Sequence, residues 1–231
     1  NKMQSQSCRL CDSKSNYMNT EKLEEDYYHC PQCDLIFMDK KDVISTDSEK
    51  ERYEEHDNTH QNEGYVNMFK DFIERAVEPY FDFSKEAKVL EFGCGPGPVL
   101  ADLLKEKGLK VDLYDPYFFP DESYKSKEYD LITSTEVFEH LFNPAQEIEN
   151  LLSILKENGV MSVMTHFHKR GEKDFRFEDW WYKWDKTHIA FFSHKTMEWI
   201  ANKYNLKILF IGNKKLCVFK KTKENINEKK R

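Results

Sequence analysis

Apolar side chains along this chain alternate between two spacings. Tyr65, Phe69, Phe72, Ile73, Ala76, Val77 and Tyr80 recur at intervals of three and four, which predicts an amphipathic helix. Residues 89–92 then form a continuous run that breaks into Gly93, Gly95 and Gly97 and resumes at Val99 as a helical pattern, so the order is strand, tight loop, helix. Leu109–Tyr114 is a second strand-like run ending at Asp115, and Tyr129–Thr135 another, followed by a helical stretch that begins at Glu136. Leu151–Lys156 continues a helix that Gly159 should end, and Val160–Thr165 returns to a strand. A helix over 194–204 and strands Leu206–Ile211 and Leu216–Lys220 around Gly212-Asn213 close the chain as a hairpin. Such alternation predicts a doubly wound α/β sheet, mostly parallel, with an antiparallel C-terminal hairpin. One break stands out: Pro116–Glu128 holds two prolines and a charge cluster where a third strand would fall.

Composition bounds this picture. The 231 residues, 39% hydrophobic and 14% aromatic, suffice for one α/β domain plus a small appendage. A formal net charge of −7 opposes a broad phosphate-binding surface, so nucleic acid is not the expected partner. No apolar run approaches the ~18 residues of a membrane span, and the N-terminus lacks a signal-peptide core, which predicts a cytoplasmic protein.

The glycine loop carries the chemistry. Without Cβ atoms at 93, 95 and 97 a ligand can lie against the backbone, and these residues can supply the positive φ of a sharp strand-to-helix turn. The spacing is neither the G-x-G-x-x-G of dinucleotide sites nor a P-loop, so a cofactor without a pyrophosphate fits. With Glu91 before the glycines and Asp115 about twenty residues beyond them, residues 65–220 resemble the class I S-adenosylmethionine-dependent methyltransferases. The resemblance implies a seven-stranded Rossmann-like sheet. It implies a cofactor, S-adenosylmethionine, held by Glu91, Gly93, Cys94, Gly95, Gly97, Asp115, Pro116, Thr135 and Tyr65. Asp115 would take the ribose hydroxyls. Residues 43–64 are expected as a linker and lid, in which Tyr53, His56, Asn58 and the adjoining Tyr65 resemble a lid motif, and 221–231 as a flexible basic tail.

Cys8-x-x-Cys11 and Cys30-x-x-Cys33, eighteen residues apart, match the pattern in which two thiolate pairs surround one tetrahedral zinc. Residues 1–42 are therefore expected as a zinc ribbon. Cys94 and Cys217 have no partner at ligand spacing and read as plain thiols. Similar zinc-bearing modules occur in some ribosomal-RNA and some sugar C-methyltransferases, and the six basic against eight acidic side chains of residues 1–42 favour a structural role.

Between 167 and 193 the alternation stops, and Phe175, Phe177, Trp180, Trp181, Tyr182, Trp184, Phe191 and Phe192 crowd around Asp185 and His188. This insert is the expected acceptor pocket for a small molecule. Candidate bases are His140, His166, His168, His188 and Asp185. Glu136, Glu139 and His140 would share one face of a helix. E-x-x-E-H there resembles the metal motif of small-RNA 2′-O-methyltransferases and ubiquinone-biosynthesis O-methyltransferases, which implies a second divalent cation on Glu136, Glu139, His140 and His188, with His166 as alternate. The opposing view leaves Glu136 on cofactor or substrate and Glu139 and His140 as packing residues. The expected activity is methyl transfer to a hydroxyl, or a carbon or nitrogen, of a metabolite; an RNA methyltransferase and a non-catalytic cofactor-binding module are the alternatives.

Overall fold

The computed structural model describes residues 5–18, 22–45 and 60–223, so Tyr53, His56 and Asn58 lie outside the described residues. The N-terminal part supplies four short strands, β1 (Ser5–Ser7), β2 (Lys14–Met18), β3 (Tyr27–His29) and β4 (Ile36–Met38). Helix α1 (Glu63–Ala76) is capped by the Asn62 side chain, which accepts from the Tyr65 N–H. Next come β5 (Lys88–Phe92), α2 (Val99–Glu106), β6 (Lys110–Tyr114), β7 (Tyr129–Thr135), α3 (Pro144–Ile154) and β8 (Leu155–Met164). After the two-residue strand β9 (Ala190–Phe191) come α4 (His194–Lys203), β10 (Leu206–Ile211) and β11 (Leu216–Lys221).

The central sheet runs β10-β11-β8-β7-β5-β6, with β6, β5, β7 and β8 parallel and the last two strands antiparallel. Side chains alternate across it. Val89, Leu131, Val160 and Val218 meet Phe69, Phe72, Leu100 and Leu104 from α1 and α2 on one face. Leu90, Ile132, Met161 and Phe219 meet Ile148, Leu151, Met197 and Ile200 from α3 and α4 on the other. Burial on both faces is why these strands are continuous apolar runs.

Two expectations change. The sheet has six strands among the described residues, not seven. Pro116 and Pro120 have no N–H to give a ladder, and the segment instead closes an Asp115↔Phe119 bridge and a 3₁₀ turn at Glu122–Ser126. Gly159 also does not end a helix: α3 stops at Ile154 and β8 begins at Leu155. Residues 156–159 bulge out between the Tyr129↔Leu155 and Leu131↔Val160 pairings, where a Cβ at Gly159 would lie 2.7 Å from the Lys156 carbonyl.

The cysteine-bearing segment is joined to the main body rather than appended to it. Its sheet runs β1-β2-β3-β4-β9, so its last strand comes from the aromatic insert. Tyr27, Ile36 and Met38 pack with Phe177, Tyr182, Ile189 and Phe191 in one buried cluster. This narrows the reading of the insert as a pocket wall to Trp181, Asp185 and His188, which line the cavity described below. Most of its rings cover the ribbon, with Tyr27 and Phe177 edge to face at 5.1 Å.

Candidate functional site

A cavity of about 700 Å³ opens along the carboxyl ends of β6, β5, β7 and β8, the edge where parallel sheets bind ligands. Gly93 and Gly95 begin its floor with φ of +80° and +66°. A Cβ at Gly93 would overlap Val137, so that glycine permits close packing of the loop on the next strand's exit. At Gly95 a Cβ would meet nothing within 4 Å, which leaves an open cradle. Gly97, by contrast, neither has a positive φ nor lines the cavity, correcting the expectation that all three glycines act alike.

Asp115 locks the loop from the neighbouring strand. Its Oδ2 accepts from the Gly95 N–H at 2.9 Å, while Oδ1 accepts from Tyr117 and Phe118 at 2.9 and 3.2 Å. The carboxylate is thus held by three backbone donors, with acceptor capacity left on Oδ2 toward the cavity. Tyr65, Cys94, Pro116 and Thr135 line the same space. Glu91 does not. It is 2% exposed, accepts from the Ala101 N–H at the start of α2, and burial raises its pKa to about 8.

The expected helix carrying E-x-x-E-H is absent. Glu136 takes φ +54° at the exit of β7, and Phe138–His140 form a single 3₁₀ turn, so the three side chains share no helical face. They nevertheless converge. Glu136 Oε2 accepts from the Tyr182 hydroxyl at 3.1 Å, and Glu139 Oε2 from Thr165 Oγ1 at 2.7 Å. Burial raises both carboxyl pKa values, and the charge of Glu136 raises Glu139 further.

His140 Nδ1 bonds the Thr187 carbonyl at 3.0 Å and His188 Nδ1 the Tyr182 carbonyl at 2.6 Å, so in each neutral ring the proton is on Nδ1 and the lone pair on Nε2. The rings meet edge to face at 4.8 Å, and burial, with the charge of His188, brings His140 down to about 3. One ligand atom each from Glu139, His140 and His188 lies within 4.8 Å of the others, and Glu139 Oε1 is buried without a hydrogen-bond partner. That carboxylate and imidazole set fits a divalent cation. Glu136 stands outside the set.

Asp185 lines the cavity, but its Oδ1 accepts from the Thr187 N–H and hydroxyl at 3.0 and 2.8 Å. It closes the turn that presents the Thr187 carbonyl to His140. His166 also lines the cavity, edge to face with Trp181 at 5.1 Å, and burial plus Lys215 bring it down to about 4. His168 is elsewhere, buried at the ribbon with Nε2 at 2.8 Å from the Asp34 carbonyl. Thr165 and Lys215 were missed as site residues, and Tyr182 was read only as one ring of the insert, because their partners stand 26 or more positions away and leave no local pattern.

The four N-terminal thiols form two matching knuckles. Cys8 N–H donates to Ser13 O and Asp12 N–H to Cys8 O, and Cys30, Leu35 and Asp34 repeat the arrangement at 2.8–2.9 Å. Asp12 and Asp34 take φ of +59° and +65°. The Cys8–Cys33 and Cys11–Cys30 sulfur pairs stand 3.5 and 3.4 Å apart, too far for disulfides and close to the ~3.8 Å edge of a tetrahedron with Zn–S bonds near 2.3 Å. These ligands fit one zinc. Cys94 and Cys217 are buried single thiols.

A parallel sheet with a glycine loop clasped by an acidic residue from the adjacent strand defines an α/β protein that binds a nucleoside-type cofactor. The chain belongs to the methyltransferase-domain family, which matches residues 59–210. Among curated proteins it is similar to the ubiquinone biosynthesis O-methyltransferases of Rickettsia canadensis (28% identical over 116 residues, 40% of this chain and 48% of that protein) and Rickettsia prowazekii (30% identical over 116 residues, 40% and 45%). The chain spans about half the length of these relatives. In fold it resembles a protein assigned as a sarcosine dimethylglycine methyltransferase from Galdieria sulphuraria, at TM-score 0.52 and 14% identity over 69% of this chain and 87% of that one. It likewise resembles the plantazolicin methyltransferase BpumL, solved with a desmethyl analogue and SAH, at TM-score 0.50 and 15% identity over 77% and 92%. No helix among the described residues is long and apolar enough to cross a membrane.

Proposed function

We propose that this chain moves a methyl group from S-adenosylmethionine to a hydroxyl of a small-molecule acceptor. The observation that carries the reading is the continuity of one cavity from the Gly95–Asp115 clasp, past Thr135 and Glu136, to the imidazoles of His140, His188 and His166. Asp115, Gly93, Gly95 and Tyr65 would hold the cofactor, which supplies an electrophilic methyl on a good leaving group. The protein then has to align the acceptor and remove its proton.

His140 is the base in this reading. Its Nδ1–H is fixed by the Thr187 carbonyl, so Nε2, 3.9 Å from Glu139 Oε1, carries the lone pair that takes the hydroxyl proton as the oxygen–methyl bond forms and the sulfonium recovers its electron pair. Glu136, braced by Tyr182, orients the acceptor. Glu139, His140 and His188 would also hold a divalent cation, whose chemistry is to lower the pKa of a bound hydroxyl. Metal and base roles compete for the same His140 nitrogen, so only one operates in a given complex. The hydroxyl rather than nitrogen or carbon follows the curated relatives, which are O-methyltransferases by name.

The four-cysteine site is proposed to hold structural zinc. An RNA acceptor is opposed by the net charge of −7 and by the ribbon's use of its inner face to pack on its own chain. Calorimetric titration with S-adenosylmethionine or S-adenosylhomocysteine tests the core of the reading. Binding heat and a raised melting temperature are expected, and neither appearing would overturn it. A screen of hydroxylated metabolites for a methyl mass increment then identifies the acceptor.

A further inference from the structure

Ile189 links the ribbon to the candidate active site by two backbone hydrogen bonds. Met38, at the end of β4, donates its N–H to the Ile189 carbonyl at 2.9 Å, and the Ile189 N–H donates to the Glu139 carbonyl at 2.8 Å. Ile189 stands directly between His188 and β9, and β9 is hydrogen-bonded to β4 through Phe37↔Ala190 and Ile36↔Phe191. This two-residue strand is held on one side by β4 and, one residue on, by the Phe167↔Phe192 bridge and the His168 N–H donated to the Phe192 carbonyl at 2.9 Å.

The second cysteine knuckle grips the same segment from behind. Asp34, next to Cys33, contacts His29 Nε2 at 2.7 Å through Oδ1 and accepts from Ser193 Oγ at 2.6 Å through Oδ2. Its carbonyl meets His168 Nε2 at 2.8 Å, and Lys195 Nζ donates to Pro31 O at 2.9 Å. The first knuckle reaches the cavity wall as well. Arg9, between Cys8 and Cys11, donates to Met38 O at 2.6 Å and stacks 4.0 Å from the ring centroid of Phe142, a cavity-lining residue. The cofactor half has a further foundation: α1, α2 and Val89 of β5 pack in an apolar cluster that contains no ribbon residue, whereas Leu90 and Phe92 on the other face of β5 share a buried cluster with the ribbon's Leu35 and Phe37.

The ribbon strands are buried against the main body, but the two knuckle turns are built around the four thiols, so the metal supplies most of the order of those turns. We infer that metal occupancy of the four-cysteine site positions the acceptor half of the active site, residues 139–140 and 182–193, while the cofactor half forms without it. Asp34 is the positioning residue that transmits the effect. The inference rests on reading the cavity end at His140 and His188 as the acceptor side. Loss of the metal loosens the knuckle that carries Asp34, its hold on Ser193 and His168 slackens, and the turn holding His188 and His140 no longer keeps the geometry that proton removal needs.

Hydrogen–deuterium exchange on the full chain, metal-loaded and after removal of the metal by a thiol-site chelator, tests this together with calorimetry using S-adenosylhomocysteine. Metal removal is expected to speed exchange across 182–193 by about tenfold or more, while peptides 88–97 and 110–115 and the S-adenosylhomocysteine affinity stay within about twofold. A second variant guards against wholesale unfolding. Asp34→Gly keeps the left-handed backbone and the cysteines, so it should retain the metal yet exchange faster at 182–193, and Asp34→Asn, which keeps an oxygen for Ser193, should restore much of the protection. Unchanged exchange at 182–193 in both the metal-free protein and Asp34→Gly overturns the inference, as does parallel opening of 88–97 in Asp34→Gly. If the metal-loaded protein fails to bind S-adenosylhomocysteine, the methyltransferase reading fails, and the exchange comparison still decides the coupling.

Discussion

Tyr182 donates its hydroxyl hydrogen to Glu136 Oε2 at 3.1 Å across 46 residues of sequence. This bond ties the exit of β7 to the segment that packs on the ribbon. Tyr182→Phe leaves a buried carboxyl short of a donor and the His166 N–H short of its acceptor. A loss of about 2 kcal/mol is expected, seen as a melting temperature lowered by roughly 4–8 °C. An unchanged melting curve would show that Glu136 does not need the hydroxyl.

Two glycines of one loop should fail in different ways. Gly93→Ala places a methyl group into Val137 at φ +80°, so a cost of about 2–4 kcal/mol in stability is expected, part of it recovered by Val137→Ala in the same chain. Gly95→Ala meets no protein atom, so the fold should lose only about 1 kcal/mol, while cofactor affinity falls because the methyl group occupies the cradle. Thermal unfolding and calorimetry on the same samples separate the two.

Asp115→Ala removes the acceptor for three backbone N–H groups as well as the group assigned to the ribose. S-adenosylhomocysteine affinity should drop by ~2–4 kcal/mol, or roughly 30- to 1,000-fold. Asn, which keeps one acceptor oxygen, should fall between. Wild-type affinity in the Ala variant would remove Asp115 from the site.

Glu91 should write a signature into the pH dependence of stability. Its folded pKa, raised by burial to about 8, means that between the ordinary carboxylate value and pH 8 the folded protein keeps a proton the unfolded chain has given up. Its contribution therefore falls as pH rises through that window. Glu91→Gln has no such proton to hold, so its stability relative to wild type should climb by a few kcal/mol, to order of magnitude, from about pH 5 to about pH 8. A constant difference across that range would mean the carboxyl is solvated.

Metal analysis should find one zinc per chain in the wild type and none in Cys30→Ser, since a tetrahedral structural site does not tolerate loss of a thiolate. Zinc-free wild-type protein would remove the ribbon assignment.

What could be read from the sequence was what local spacing encodes. The Gly93-x-Gly95 turn after an apolar run, Asp115 at the next strand end and the paired cysteines each announce themselves within a few residues. The E-x-x-E-H helix misled because one left-handed residue, Glu136, breaks the helical register before it starts. Spacing of three and four then says nothing about a shared face. The aromatic insert was legible only in part, for a different reason: Trp181, Asp185 and His188 do line the cavity, but most of its rings do not. Dense rings signal that something will cover them, and the cover here is Tyr27, Ile36 and Met38, far upstream in sequence and invisible to any window. Tyr182 belongs to the same class, its role fixed by a contact that only the folded chain makes.

The pairing of β4 with β9 also constrains how the chain is born. Ile36 and Phe37 emerge about 150 residues before Phe191 and Ala190, and at ribosomal speeds of roughly 5–20 residues per second that is a delay of about 8–30 s. Throughout it, an apolar strand edge waits unprotected beside freshly made polypeptide. The edge of β4 is therefore completed only after the whole parallel sheet between it and β9 has been made.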